Sequence, residues 1–283
     1  IPFKYITRVI TAPSENSANP DEVYLTLSGF ENINEGHVFK STNEGSNWIN
    51  INGNLPNTPA NDIVWWQTGC GNSSKTIAVA TDIGVFSSTN EGDTWKLIAE
   101  GLPIVPVLDL EYVPFKNSIR AATFGRGVWE VELEGDIYIK DNVYFPSEAI
   151  VEKNIVVCNG GVLNFTGGVG TVKFAPGKQI TVLDGGKITG SSVAAFYGYG
   201  ASWNGIVIEP GGEADFDNCL FDATSTPITI NGDPFLLSPQ VSITNCTFFY
   251  NIAGVGTINI NNRDNVIIEN CNSNNNYFDG IAV

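Results

Sequence analysis

Ile155-Val156-Val157-Cys158-Asn159-Gly160-Gly161-Val162-Leu163 returns as Ile180-Thr181-Val182-Leu183-Asp184-Gly185-Gly186-Lys187-Ile188 and again as Ile206-Val207-Ile208-Glu209-Pro210-Gly211-Gly212-Glu213-Ala214, so that Ile155, Ile180 and Ile206 head three copies at an almost constant spacing. Each copy is a short strand with apolar residues two apart, a Gly-Gly turn and a second strand. Such alternation sends every second side chain inward, and a constant period means equivalent layers that bury one another's faces. Working outward, the period continues in a shifted phase. Ala214-Asp215-Phe216-Asp217-Asn218-Cys219, Val241-Ser242-Ile243-Thr244-Asn245-Cys246 and Val266-Ile267-Ile268-Glu269-Asn270-Cys271 set Cys219, Cys246 and Cys271 at nearly the same spacing. Residues 136–283 are therefore expected to wind into a parallel coil, with layers about 4.8 Å apart. Phe216, Ile243 and Ile268 would share one internal stack, and Asn218, Asn245 and Asn270 a ladder of mutually bonded amides at a bend.

The first half carries another, longer period. Val38-Phe39-Lys40-Ser41-Thr42-Asn43-Glu44-Gly45-Ser46-Asn47-Trp48 recurs as Val85-Phe86-Ser87-Ser88-Thr89-Asn90-Glu91-Gly92-Asp93-Thr94-Trp95, and a third copy begins at Thr123-Phe124-Gly125-Arg126-Gly127-Val128-Trp129. A unit in the forties built from short strands is the size of one propeller blade. An Asn carbonyl holds a side-chain turn, Gly45 and Gly92 take the positive-φ position, and the Trp packs beneath the hairpin. About two and a third blades are present, fewer than a closed ring needs. The blade period ends near 134 and the coil begins at 136, so the expectation is all-β: a partial β-propeller over 1–134, a short linker, and a parallel β-helix over 136–283, incomplete at its C-terminus.

Two resemblances follow from these residues. Ser41, Asn43, Gly45 and Trp48, with Ser88, Asn90, Gly92 and Trp95, resemble the Asp-box (BNR-type) motif of sialidase-like, sortilin-like and xyloglucanase-type propellers. Asn43 and Asn90 stand where that motif has Asp, and Asn47 replaces its Thr. The resemblance implies that these eight residues are structural and identify a blade, away from any active cleft. The stretch 121–130 also resembles the last blade of large secreted bacterial propeller proteins. The coil resembles the right-handed, pectate-lyase-like β-helix superfamily across nearly all of 136–283. Together these imply a secreted or cell-surface bacterial protein.

Composition narrows the partners. The chain has 283 residues, 42% hydrophobic and 16% charged, with 30 Gly, no Met and a net charge of −16. That charge repels phosphate backbones, so nucleic acid is excluded as a partner. No apolar run reaches about 18 residues, so membrane insertion is not expected either. The missing initiator and the strand-like start lead to the expectation of a piece of a longer parent chain.

Few residues promise chemistry. Of the five Cys, the three at equivalent layer positions, Cys219, Cys246 and Cys271, read as a ladder of buried free thiols, because parallel Cβ directions oppose disulfide closure between layers. No Cys-x-x-Cys pair exists and His37 is the only His, so no metal site is expected. His37 reads as a loop residue without a catalytic task. Asp215 and Asp217 should point outward together, near Asp222, and two close carboxylates either share a cation or act as acid and base; they are the catalytic candidates, against a solvated acidic face. The motifs of polygalacturonase-like members are missing. Arg263 is the only Arg of the coil, with Lys173, Lys178 and Lys187 as candidate basic groups. No cofactor is called for; Ca²⁺ on these carboxylates, or on the Asn-rich stretches 259–264 and 272–276, is the alternative. Gly167-Gly168-Val169-Gly170-Thr171 lacks the Asp of a Ca²⁺-binding nonapeptide. Trp65, Trp66, Tyr197, Tyr199 and Trp203, with Phe196, are the substrate-binding candidates, since flat aromatic faces stack on sugars, against blade and layer packing that would use the same residues.

The expected function is a non-catalytic or accessory segment of an extracellular bacterial protein that presents a surface to polysaccharide or to a cell-surface protein. The alternative is a carbohydrate-active hydrolase or lyase acting on extracellular polysaccharide. A plain spacer would show neither binding nor turnover.

Overall fold

The computed structural model describes residues 5–12, 21–30, 35–71, 75–98, 102–145, 148–165, 171–191, 194–234, 239–251, 257–274, 276 and 281–282. The stretches 166–170 and 277–280 and residue Asn275, parts of which entered the Ca²⁺ reading, lie outside them. Two compact units divide at Gly135/Asp136. Nearly everything is β, and the helical exception among the described residues is one 3-10 turn, Pro114–Lys116.

The described residues of the first unit form eleven strands. β1 (Ile6–Ala12), β2 (Glu22–Leu27), β3 (Val38–Ser41) and β4 (Ile49–Asn50) form one antiparallel sheet. β5 (Ala60–Gln67), β6 (Lys75–Thr81), β7 (Gly84–Ser88) and β8 (Lys96–Leu97) form a second, and β9 (Val107–Val113), β10 (Ser118–Thr123) and β11 (Gly127–Glu132) a third. The four-strand order repeats at the expected period, with the third sheet one strand short. This matches a partial propeller. β6 is buried along its whole length because it is covered on both faces. Ile77 and Val79 join Tyr24, Ile63 and Trp95 in one core, while Ala78 and Ala80 face Leu110, Ile119 and Ala121 in another. Small residues on that side let the third sheet approach closely.

The second unit is a parallel β-solenoid with three faces, carrying among the described residues seven, six and six hydrogen-bonded strands. The register puts Ile155 opposite Ile180 and Ile180 opposite Ile206, as the repeat predicts. Phe216 meets Ile243, and Ile243 meets Ile268, so the expected internal stack is present. A second stack runs through Phe196, Phe221 and Phe248, with ring centroids 4.8 and 5.1 Å apart and nearly parallel planes. Offset aromatic stacking adds to area burial here.

The Gly-Gly turn has a division of labour. Gly160, Gly185 and Gly211 sit at φ 78°, 69° and 83°, where a side chain is strained. The following glycine is needed for closeness: a Cβ on Gly161 would lie 2.2 Å from the Ile139 carbonyl of the previous layer, and one on Gly186 2.6 Å from that of Val157. The other bend uses Asn218, Asn245 and Asn270 at φ 54°, 53° and 52°, where Asn is favoured because its short polar side chain tolerates left-handed backbone. The expected amide ladder is corrected in part. Main-chain bonds run between layers, Asn218 N–H to Thr244 O and Asn245 N–H to Glu269 O, while the Asn245 amide donates to Asp217 at 2.7 Å.

Candidate functional site

The third solenoid sheet is built from Ile150–Val151, Thr171–Phe174, Ala195–Gly198, Leu220–Asp222, Thr247–Phe249 and Asn272–Asn274. Its inward positions are Phe174, Phe196, Phe221 and Phe248, all at 1% exposure or less. Alternation then forces the neighbouring residue outward. In strict register, Ile150, Lys173, Tyr197, Asp222, Phe249 and Asn274 form one outward row along the solenoid axis. Tyr197, Asp222 and Phe249 are half-buried within it. Tyr199, 53% exposed, and Tyr250, 62% exposed, follow at the adjoining corner, and Tyr250 lies 6.2 Å from the Phe249 ring.

Burial pushes Asp222 above the usual carboxylate range, against the lowering effect of the Ala223 N–H. The Tyr197 hydroxyl is raised by burial and then by the negative charge of Asp222. These two groups therefore feel each other across one layer. An aromatic side chain stands on each side of a carboxylate along the row, a combination able to stack on apolar C–H surfaces and accept hydroxyl hydrogen bonds.

Of the sequence candidates, this row takes in Tyr197, with Tyr199 beside it. Trp203 is removed: it is 0% exposed and stacks on Phe174 at 4.1 Å. Trp66 is also interior, 5% exposed and stacked on Tyr112. Trp65 points to the other side of β5, packs against the first core and donates its indole N–H to Thr11 O at 2.9 Å. Adjacent residues of one strand face opposite ways, so Trp65 and Trp66 make no platform. Phe196 is interior as well.

Asp215 and Asp217 are outward on Glu213–Asp217, a strand of the second sheet. Asp222 is not their neighbour on that face, because the left-handed bend at Asn218 carries the chain onto the third sheet. Hydrogen bonds from the Asn245 amide and the Thr244 hydroxyl hold Asp217 below the usual carboxylate range. That is the environment of an ionised acceptor, unsuited to a general acid. Among the described residues no three His, Cys, Asp or Glu side chains gather around one ion position.

Arg263 is no base either. The residue is 9% exposed, and its guanidinium donates to the carbonyls of Glu209, Asn231, Gly212 and Pro239 at 2.7–3.2 Å, and so clamps successive layers. His37 is buried rather than on an open loop, with ring nitrogens 3.2 Å from Leu27 O and 2.9 Å from the Asn57 side chain. Cys219, Cys246 and Cys271 are free thiols.

Both eight-residue boxes fold alike. Ser41 Oγ accepts the Gly45 N–H at 2.9 Å and Ser88 Oγ that of Gly92 at 2.8 Å. Asn43 accepts the Asn47 N–H and Asn90 that of Thr94. Trp95 is buried and donates to Ile51 O at 3.0 Å, while Trp48 packs on Leu25, Leu27 and Phe39. Glu44 and Glu91 join the glycines at positive φ.

Two features escaped the sequence. Glu22, Lys40, Lys75 and Glu91 form a buried charge cluster between the first two sheets. Glu22 meets Lys40 at 2.8 Å and Lys75 at 2.5 Å; Glu91 also bonds Lys40 and lies 3.2 Å from Lys75. The Tyr24 hydroxyl donates to Glu22 at 2.7 Å. The other missed feature is the outward row itself. Its signal was readable: Phe196-Tyr197, Phe221-Asp222 and Phe248-Phe249 recur at the spacing of the layers, each an inward Phe followed by an outward residue.

No family model, curated protein or solved structure matches the chain.

Proposed function

We propose that the chain is an accessory, non-catalytic segment of a larger secreted or cell-surface bacterial protein, in which the third sheet of the solenoid presents a binding surface to polysaccharide. The first unit is read as Asp-box propeller blades, supported by the paired Ser–Asn–Gly–Trp geometry, and the second as a pectate-lyase-like β-helix. The observation that carries the function is the register-locked row Tyr197–Asp222–Phe249. Sugars present apolar C–H faces ringed by hydroxyls, and aromatic faces with one acceptor between them complement both. Rigid strands hold the row without loop ordering, which lowers the entropic cost of binding. Affinity electrophoresis of the whole chain through gels with and without embedded polysaccharides tests this. Retardation by at least one polysaccharide is expected, and mobility unchanged in every gel refutes it.

A carbohydrate-active enzyme is the second reading, favoured by Asp222 standing in register beside Tyr197 with its carboxyl displaced upward by burial, the direction of shift that a general acid needs. Release of reducing ends or of unsaturated product, lost in Asp222→Asn, would establish it.

A further inference from the structure

Resting on the polysaccharide reading above, we infer that the ligand is a neutral, extended, β-1,4-linked polysaccharide lying along the solenoid axis, with Tyr197 and Phe249 stacking on sugars two apart and Asp222 accepting hydroxyls from the sugar between them.

Spacing selects the linkage. Tyr197 and Phe249 occupy the same register position two layers apart, a separation of roughly 10 Å at the ordinary spacing of paired strands. One layer is close to the length of one sugar in a fully extended, equatorially linked chain. Successive sugars in such a chain turn over, so every second one offers the same face. A row with aromatics in alternate layers fits that repeat. A coiled α-linked chain shortens and curves, and cannot keep both rings in contact on a straight solenoid.

Charge selects the sugar. The described part of the row holds one cation, Lys173, and one carboxylate, Asp222, so it offers no net attraction to a polyanion. The chain as a whole carries −16, which repels one. A uronate carboxylate stacked between Tyr197 and Phe249 would meet Asp222 directly. Neutral hydroxyls meet the same oxygen as donors.

The test compares binding of the full chain to three groups of polymer: hydroxyethyl cellulose, β-1,4-mannan and xylan; amylose and dextran; polygalacturonate and alginate. Binding to the first group is expected, weakened about tenfold in Tyr197→Thr and in Phe249→Thr, as loss of a stacking contact of about 1.4 kcal/mol gives. The β-branched replacement keeps strand propensity, and unchanged far-UV circular dichroism verifies the fold. Tyr144→Thr, at an exposed aromatic on another sheet, should bind as the parent does. Binding only to α-linked or anionic polymers overturns the inference and leaves the polysaccharide reading standing. So does binding to the first group that neither threonine variant weakens. Binding to none of the seven overturns both.

Discussion

Replacing Glu22 by Gln should cost the first unit about 3–5 kcal/mol, the range for removing one partner of a buried ion pair. Glu22 is 3% exposed, Lys75 2% and Lys40 8% as side chains, and the two carboxylate oxygens serve one lysine each. A Gln can accept from only one of them and turns its NH₂ group toward the other, so one ammonium is left in a dry site with Glu91 as its remaining anion. The total stability of a domain is about 5–15 kcal/mol, so the loss consumes a large fraction. Urea unfolding followed by Trp fluorescence gives the value, and Lys75→Met with the double variant Glu22→Gln/Lys75→Met completes a cycle. The pair should be less damaging together than the sum of the singles, because the double variant removes the orphaned charge. A loss below about 0.5 kcal/mol for Glu22→Gln, typical of a surface ion pair, would refute the claim that these charges depend on one another. The pH dependence has a definite sign. Burial works against the Glu22 carboxylate, yet the bonds from Lys40, Lys75 and Tyr24 hold its pKa below the ordinary 4.5, so its contribution is present above about pH 4.5 and is lost as pH falls below that. Burial works against the Lys40 ammonium too, but Glu22 and Glu91 raise it above 10.5, so its share is complete below that value and lost at higher pH.

Gly161→Ala should destabilise the solenoid by about 1–3 kcal/mol or more through overpacking, because its Cβ would sit 2.2 Å from a backbone oxygen; a calorimetric thermal melt in which no transition moves would contradict that. Asn245→Ala should cost about 1–2 kcal/mol for left-handed backbone, with Asn245→Gly recovering most of it in the same melt. Cys246, 0% exposed, should be alkylated by iodoacetamide only after unfolding, whereas the half-open Cys271 reacts in the native state; peptide mapping that finds Cys246 labelled first would be against the register. Arg263→Lys should lower solenoid stability measurably, since one ammonium cannot reproduce the planar fork that bridges four carbonyls; an unchanged urea midpoint would dismiss the clamp.

The coil was legible because a repeat fixes register as well as fold. Once Ile155, Ile180 and Ile206 align in sequence, they must meet in space, and Phe216, Ile243 and Ile268 follow in the same way. The boxes around Trp48 and Trp95 were legible for the same reason. Trp203 was misjudged as a sugar-stacking candidate because it lies in a stretch with no copy elsewhere, so nothing gave its phase. Asp222 was placed beside Asp217 on sequence distance alone, and the bend at Asn218 reverses that. The charge cluster draws Glu22, Lys40, Lys75 and Glu91 from non-equivalent positions of the two repeated sheets, Lys40 aligning with Ser87 and Glu91 with Glu44, so the repeat does not announce it.

The most direct test of the binding row is calorimetric titration with β-1,4-linked neutral oligosaccharides of increasing length. Because Tyr197 and Phe249 lie two layers apart, affinity should rise steeply from two sugars to three or four, then level off, and the step should vanish in the Tyr197→Thr/Phe249→Thr double variant. Affinity independent of length, or a step that survives in the double variant, would contradict the account.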